Sequence, residues 1–120
     1  MKNTSFNRKL RRKSRVSRNI TGTELIPRIV VYRSNKYIYA QAINDEKRVT
    51  VAAFSSLVMK KNKDYKKTTK INEAKQVGLG LAGLLKKKKV EQGVYDRSFY
   101  NYKGRVRALA EGLREGGVKI

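Results

Sequence analysis

Cations and tyrosines are the side chains whose pattern could do chemistry in this sequence. Lys2, Arg8, Lys9, Arg11, Arg12, Lys13, Arg15 and Arg18 crowd the first eighteen residues with no acid among them. Side chains of this kind neutralise phosphates, and the release of condensed counterions then drives association. Across all 120 residues, 30 Lys and Arg face 9 Asp and Glu, a formal charge of +21. A compact state carrying that charge repels itself unless a polyanion is at hand. Nucleic acid is the class of partner this balance predicts, and residues 1–18 form the cationic arm that would reach it.

The chemistry that is missing narrows the field further. There is no Cys and no His, so the chain has no thiolate nucleophile, no Cys-based zinc site, and neither the usual general base at neutral pH nor the commonest metal ligand. The adjacent acids Asp45 and Glu46 sit in the polar cluster Asn44 to Lys47 and read as a solvated turn. Asp96 beside Arg97 reads as an ion pair that positions Arg97. Gly78-Leu79-Gly80-Leu81-Ala82-Gly83 matches the GxGxxG pattern literally, but helix-like residues precede it and no acid lies near twenty residues onward. A dinucleotide site needs a strand before the motif and a helix opening over the pyrophosphate, so these glycines are expected to permit close packing instead. No catalysis, metal or cofactor is expected. Nor is a membrane: no apolar run approaches the roughly 20 residues that span a bilayer. The arm's apolar residues, mainly Phe6, Leu10 and Val16, do not make an interfacial face. A cytoplasmic setting is expected, since nothing resembles a secretory signal.

The elements that must position these groups follow from periodicity and punctuation. Thr21-Gly22-Thr23 and then Pro27 break the chain, giving a basic arm over 1–21 and a single domain over 22–120, with regular structure starting near Arg28. Three strand-like runs, Arg28 to Arg33, Lys36 to Ile43 and Arg48 to Phe54, predict an antiparallel meander. A two-residue turn at Ser34-Asn35 would pair Tyr32 with Tyr37, Val31 with Ile38, Val30 with Tyr39 and Arg28 with Gln41. A four-residue turn at Asn44 to Lys47 then collects Ile29, Val31, Ile38, Ala40, Ala42, Val49, Val51 and Ala53 on one apolar face. The other face carries Arg28, Val30, Tyr32, Tyr37, Tyr39, Gln41, Arg48 and Thr50. Cross-strand tyrosine pairs can be purely structural, contributing about 0.2 to 1 kcal/mol. Stacking of a base on an aromatic contributes about 1 to 3 kcal/mol, and Arg28, Lys36 and Arg48 would lie alongside for phosphates. The mixture suits RNA.

Residues 60 to 70, with Lys60, Lys61, Lys63, Lys66, Lys67 and Lys70, read as a solvated loop. From an N-cap at Asn72, apolar residues at Ala74, Val77, Leu81, Leu84 and Leu85 predict an amphipathic helix, with Lys86 to Lys89 suiting the negative end of its dipole. Gly93 ends that segment and Val94-Tyr95 could enter a fourth strand. Asp96 to Lys103 forms a polar and aromatic loop, and a last helix carries Val106, Leu109, Ala110 and Leu113 before Gly116-Gly117. The fold class is therefore α/β: a mixed sheet that starts with an antiparallel three-strand meander, helices packed on one face, and a basic N-terminal arm.

Three ordered stretches also carry a family likeness: Gly22-Thr23 through Pro27-Arg28, then Val31 through Gln41, and finally Asp96-Arg97-Ser98 with Tyr102-Lys103-Gly104-Arg105-Val106 and Ala108-Leu109-Ala110. With these the chain resembles, over nearly its whole length, the bacterial form of large-subunit ribosomal protein number eighteen, a family that binds 5S ribosomal RNA. The resemblance implies a structural constituent of the ribosome that helps attach 5S rRNA to 23S rRNA in the central protuberance, beside other 5S-associated proteins. It places RNA contacts on Arg8, Lys9, Arg11, Arg12, Lys13, Arg15 and Arg18, on Arg33, Ser34, Asn35, Lys36, Tyr37 and Tyr39, and on Tyr102, Lys103, Gly104 and Arg105. Arg28, Gln41 and Arg48 join them from the sheet face. Tyr37 and Lys103 stand where the family often has histidine, keeping a stacking surface and a donor. Ile26, Phe99 and Ile120 depart from a frequent arginine, glycine and aromatic. The competing expectation, a general nucleic-acid packaging or RNA chaperone protein, would need only the charge.

Overall fold

The computed structural model describes Arg8, Arg11, residues 21–98 and residues 100–120. Its elements run β1 (Arg28–Arg33), β2 (Ile38–Asn44), β3 (Val49–Ser55), α1 (Ser56–Lys60), α2 (Lys70–Lys87), β4 (Val94–Asp96) and α3 (Arg105–Glu115). One sheet is formed in the order β3-β2-β1-β4, antiparallel through the meander and parallel between β1 and β4. Because β3 and β4 are opposite edges, the chain must carry α2 across the sheet to connect them. The expected α/β arrangement is what results.

The register of the first hairpin differs from expectation by two residues. Tyr32 faces Tyr39 and Val31 faces Ala40, because the turn centres on Asn35-Lys36. Ser34 sets this: its N–H donates to the Tyr37 carbonyl at 2.8 Å, and its hydroxyl accepts from the Tyr37 N–H at 3.2 Å. A slip of two preserves which face each side chain occupies. Ile29, Val31, Ile38, Ala40 and Ala42 are accordingly all buried.

The second turn brings a true change of face. Asn44 is buried, and its Oδ1 accepts from the N–H groups of Glu46 and Lys47 at 3.1 and 3.3 Å. The turn therefore spans 45–48, with Arg48 in the left-handed region at φ 54° rather than in a strand. Ala42 pairs with Ala52 but Ile43 pairs with Thr50, so Val51 is an extra, bulged residue. One inserted residue reverses the alternation. Ala52 and Phe54 pack on the core together with Val51, while Val49 is exposed and Ala53 lies opposite Gln41 on the open face.

Helix α2 starts earlier than expected because Thr69, not Asn72, supplies the cap: Thr69 Oγ1 accepts the Asn72 N–H at 3.2 Å, and the Asn72 carboxamide donates to Thr68 Oγ1. Ala74, Val77, Leu81 and Leu85 of α2, with Val106, Leu109 and Leu113 of α3, close over the apolar sheet face. Truncating Leu81 or Leu109 to Ala would cost about 2 to 5 kcal/mol. The two helices cross with their backbones nearly touching. A Cβ on Gly78 would stand 2.2 Å from the Leu109 carbonyl oxygen, and one on Gly112 would stand 2.2 Å from that of Lys75. Gly80 makes room for the Phe54 ring in the same way, whereas Gly83 faces open space. Close packing thus accounts for the first two glycines of the run.

Residues 60 to 70 are not wholly a solvated loop. Lys60 ends α1, a helix that the periodicity did not announce, and Lys70 begins α2. The hydroxyl of Tyr65 donates to the buried Glu73, and Lys60 Nζ lies 3.6 Å from the same carboxylate. Among the described residues no helix is long and apolar enough to cross a membrane.

Candidate nucleic-acid interface

Among the described residues, α2 and α3 cover one face of the sheet, and the other presents Val30, Tyr32, Tyr39, Gln41 and Ala53. Alternation along β1 and β2 puts these side chains together. The Tyr32 and Tyr39 rings lie 5.9 Å apart, and Tyr37 meets Tyr39 edge-on at 6.4 Å. Tyr32 is 58% exposed.

At the outer end of this face the β1–β2 tip is held from behind. Ile38 N–H donates to the buried Ser56 hydroxyl at 3.0 Å. The hydroxyl of buried Tyr100 accepts from the Arg33 N–H at 3.1 Å and donates to the Arg33 carbonyl at 3.3 Å, so a side chain continues the edge bonding that β4 is too short to provide. The Arg33 guanidinium lies over the same ring at 4.9 Å. Arg105 Nη1 donates to the Ser34 carbonyl at 2.9 Å. Lys60 Nζ sits 5.1 Å from the Tyr37 ring centre.

Arg105 is thus turned toward the tip, and its buried Nε has no hydrogen-bond partner among the described residues. Burial, and then the charge of neighbouring Arg33, holds its acidity above the ordinary guanidinium level, lowering the pKa. Two like charges brought together on a rigid tip make a site that an anion would relieve. Gly104, at φ 59° and ψ −127°, opens α3 in a conformation that suits glycine. Asn35, Lys36, Lys103 and Tyr102 are exposed nearby in the chain, although Tyr102 also packs on Tyr95 at 6.2 Å and accepts from Arg114 at 2.9 Å.

The inner end of β1 is electrostatically different. Arg28 Nε and Nη2 donate to the Asp45 carboxylate at 3.0 and 3.1 Å, and Nη1 donates to the fully buried Asp96 at 2.8 Å. Asp45 is therefore not a solvated turn acid: it also accepts the Gly22 N–H at 2.6 Å. Asp96 does not position Arg97 as expected, because it turns to Arg28 and to the Ser98 N–H, and Arg97 donates to the Tyr100 carbonyl instead. The Arg28 hydrogen bond, with that from Gly22, holds the Asp45 carboxyl below the ordinary range; the same bond raises the Arg28 pKa against its desolvation.

Of the arm, Arg8 and Arg11 are exposed and helical; Lys9, Arg12, Lys13, Arg15 and Arg18 lie outside the described residues. Arg48 is exposed on the turn before β3, at the end of the sheet away from the β1–β2 tip. The structure thus gathers Arg33, Ser34, Lys36, Tyr37 and Arg105 at one tip, sets Tyr39 and Gln41 on the adjoining face, and engages Arg28 internally. Lys60, expected only as a cation of a solvated loop, meets the Tyr37 ring instead, and nothing local marks Tyr100 as a tyrosine that will serve a residue 67 positions away.

Comparison with known proteins settles the family. A family model described as ribosomal L18 of archaea, bacteria, mitochondria and chloroplasts matches residues 3–120. The chain belongs to the ribosomal L18 family. It is similar to the large ribosomal subunit protein uL18 of Desulfovibrio desulfuricans, with 42% identity over 120 residues and both chains fully covered. The uL18 of Staphylococcus aureus is 46% identical over 113 residues, covering 93% of this chain and 92% of the relative. That of Petrotoga mobilis is 44% identical over 110 residues, covering 92% and 90%. As an L18-family member the chain is a structural component of the large ribosomal subunit and not an enzyme.

Proposed function

We propose that this L18-family chain binds 5S rRNA and helps attach it to 23S rRNA in the central protuberance, working in the ribosome in the cytoplasm beside other 5S-associated proteins. Residues 1–21 act as the basic arm and 22–120 as the folded reader. The observation that carries this reading is the preorganised tip: Arg33, Lys36 and Arg105 form no ion pair with a carboxylate among the described residues and adjoin a tyrosine-bearing face left uncovered by the helices. Recognition then rests on RNA shape, backbone charge and selected stacking rather than on groove readout.

Competition binding tests it. The protein should prefer 5S rRNA to an unrelated duplex of similar size at physiological salt; equal affinity overturns the proposal. With about 6 to 10 phosphates neutralised, affinity should fall roughly 10³- to 10⁵-fold between 50 and 200 mM salt, by the duplex-DNA relation. Deleting residues 1–18 should weaken binding but leave a preference for 5S rRNA. Loss of nearly all binding on that deletion would favour general packaging or RNA chaperoning instead.

A further inference from the structure

The seven tyrosines divide into two groups by what their hydroxyls do. Tyr65, Tyr95, Tyr100 and Tyr102 each bond a protein group: Glu73, the Val106 carbonyl, the Arg33 backbone and Arg114 respectively. Tyr32, Tyr37 and Tyr39 have no hydrogen-bond partner among the described residues, and these are the three gathered at the open face and its tip. Between Val30, Tyr32, Tyr39 and Gln41 lies a shallow depression of about 320 Å³. The exposed Gln41 carboxamide lining it also has no hydrogen-bond partner among the described residues, although it offers both donors and an acceptor.

Charge decides what could lie there. The cation two residues along β1 from Val30 is Arg28, and two carboxylates already hold it. With its guanidinium committed to those carboxylates, Arg28 is not offered to a phosphate. The outer border is the cationic tip. A nucleotide would therefore keep its phosphate toward the tip and extend its uncharged part inward. Tyr39 packs against Tyr32 from one side, so the free ring surface belongs to the exposed Tyr32.

We propose that this depression takes one unpaired nucleobase of the bound RNA, stacked on Tyr32 and hydrogen-bonded along its edge by Gln41. The proposal rests on the RNA-binding reading above and adds a base contact to backbone recognition. Stacking tolerates any base, while a carboxamide can pair with a donor and acceptor edge.

The test titrates full-length protein into 5S rRNA across a salt series, with base-specific chemical probing of unpaired nucleotides. Tyr32→Ala should weaken binding by about 5- to 150-fold without changing the slope of log affinity against log salt, and one protected base should regain reactivity. Tyr32→Phe should keep most of the affinity, and Gln41→Ala should re-expose the same base. Lys36→Ala, a phosphate contact, should reduce the salt slope by about one instead. Wild-type affinity in Tyr32→Ala, or no base whose protection depends on Tyr32 and Gln41, overturns the nucleobase site while leaving 5S preference intact. Absence of that preference in the wild type overturns both readings. Thermal melts of each variant establish that the exposed positions leave the fold intact.

Discussion

Arg28 and Arg33 bound the same strand and stand in opposite circumstances. Arg28 has its guanidinium divided between Asp45 and Asp96, with a side-chain exposure of 22%. Arg33 is exposed, pairs with no carboxylate among the described residues, and is steadied by the ring and hydroxyl of Tyr100 beside a second cation, Arg105. A formal charge counts the two equally. The structure makes one a fastener between a turn, a strand and the edge strand β4, and leaves the other available to an anion. Strongly basic chains are thus not uniformly sticky: cations needed for the fold are paired, and those offered to a partner collect where acids are missing.

The contrast can be broken most severely at Asp96. Replacing Asp96 by Ala leaves Arg28 half-paired and the Ser98 N–H without its acceptor, and should cost about 3 kcal/mol, read as a lowered denaturation midpoint. Arg33→Ala should do the reverse. It should move stability by less than about 1 kcal/mol yet weaken 5S rRNA binding roughly tenfold and lower the salt slope by about one. A large stability loss in Arg33→Ala would show that the two arginines are alike after all.

A finer probe is Tyr100→Phe, which removes one hydroxyl that bonds both backbone groups of Arg33. It should cost about 1 kcal/mol of stability and relax amide-exchange protection at Arg33 while leaving the Arg28 end unchanged. The smallest effect expected is the acid response. The Asp45 carboxyl is held below its ordinary value, so its pair with Arg28 stabilises fully above that value, about 3.9, and loses the contribution as pH falls through the lowered folded value. Asp45→Asn should flatten that part of the stability profile below about pH 4, and an unchanged acid limb would remove Asp45 from the comparison.

Much of this was legible along the chain. Period-two alternation gave the faces of β1 and β2 correctly even though the turn was misplaced, because a two-residue slip returns each side chain to its own side. The alternation failed on β3, where the capping carboxamide of Asn44 moved the turn and the bulge at Val51 inverted the pattern. Period 3.6 located α2 and α3, while α1 is too short for periodicity to reveal. Of the cationic tip, the hairpin residues were readable and Arg105 was named through the family likeness, but the bonds by which Ser56, Tyr100 and Arg105 hold the hairpin from 18, 67 and 71 residues away were not.

Composition and periodicity alone determined the sign of the charge, the polyanionic class of partner, the division into an apolar and a tyrosine-bearing sheet face, and the two long helices, since each depends on residue type or on near neighbours. Tertiary structure decided which arginines are fasteners and which are offered, which tyrosine hydroxyls are occupied, and why Gly78 must lack a side chain. Those outcomes require groups brought together from 8 to 71 residues apart, and closure in three dimensions has no local signature.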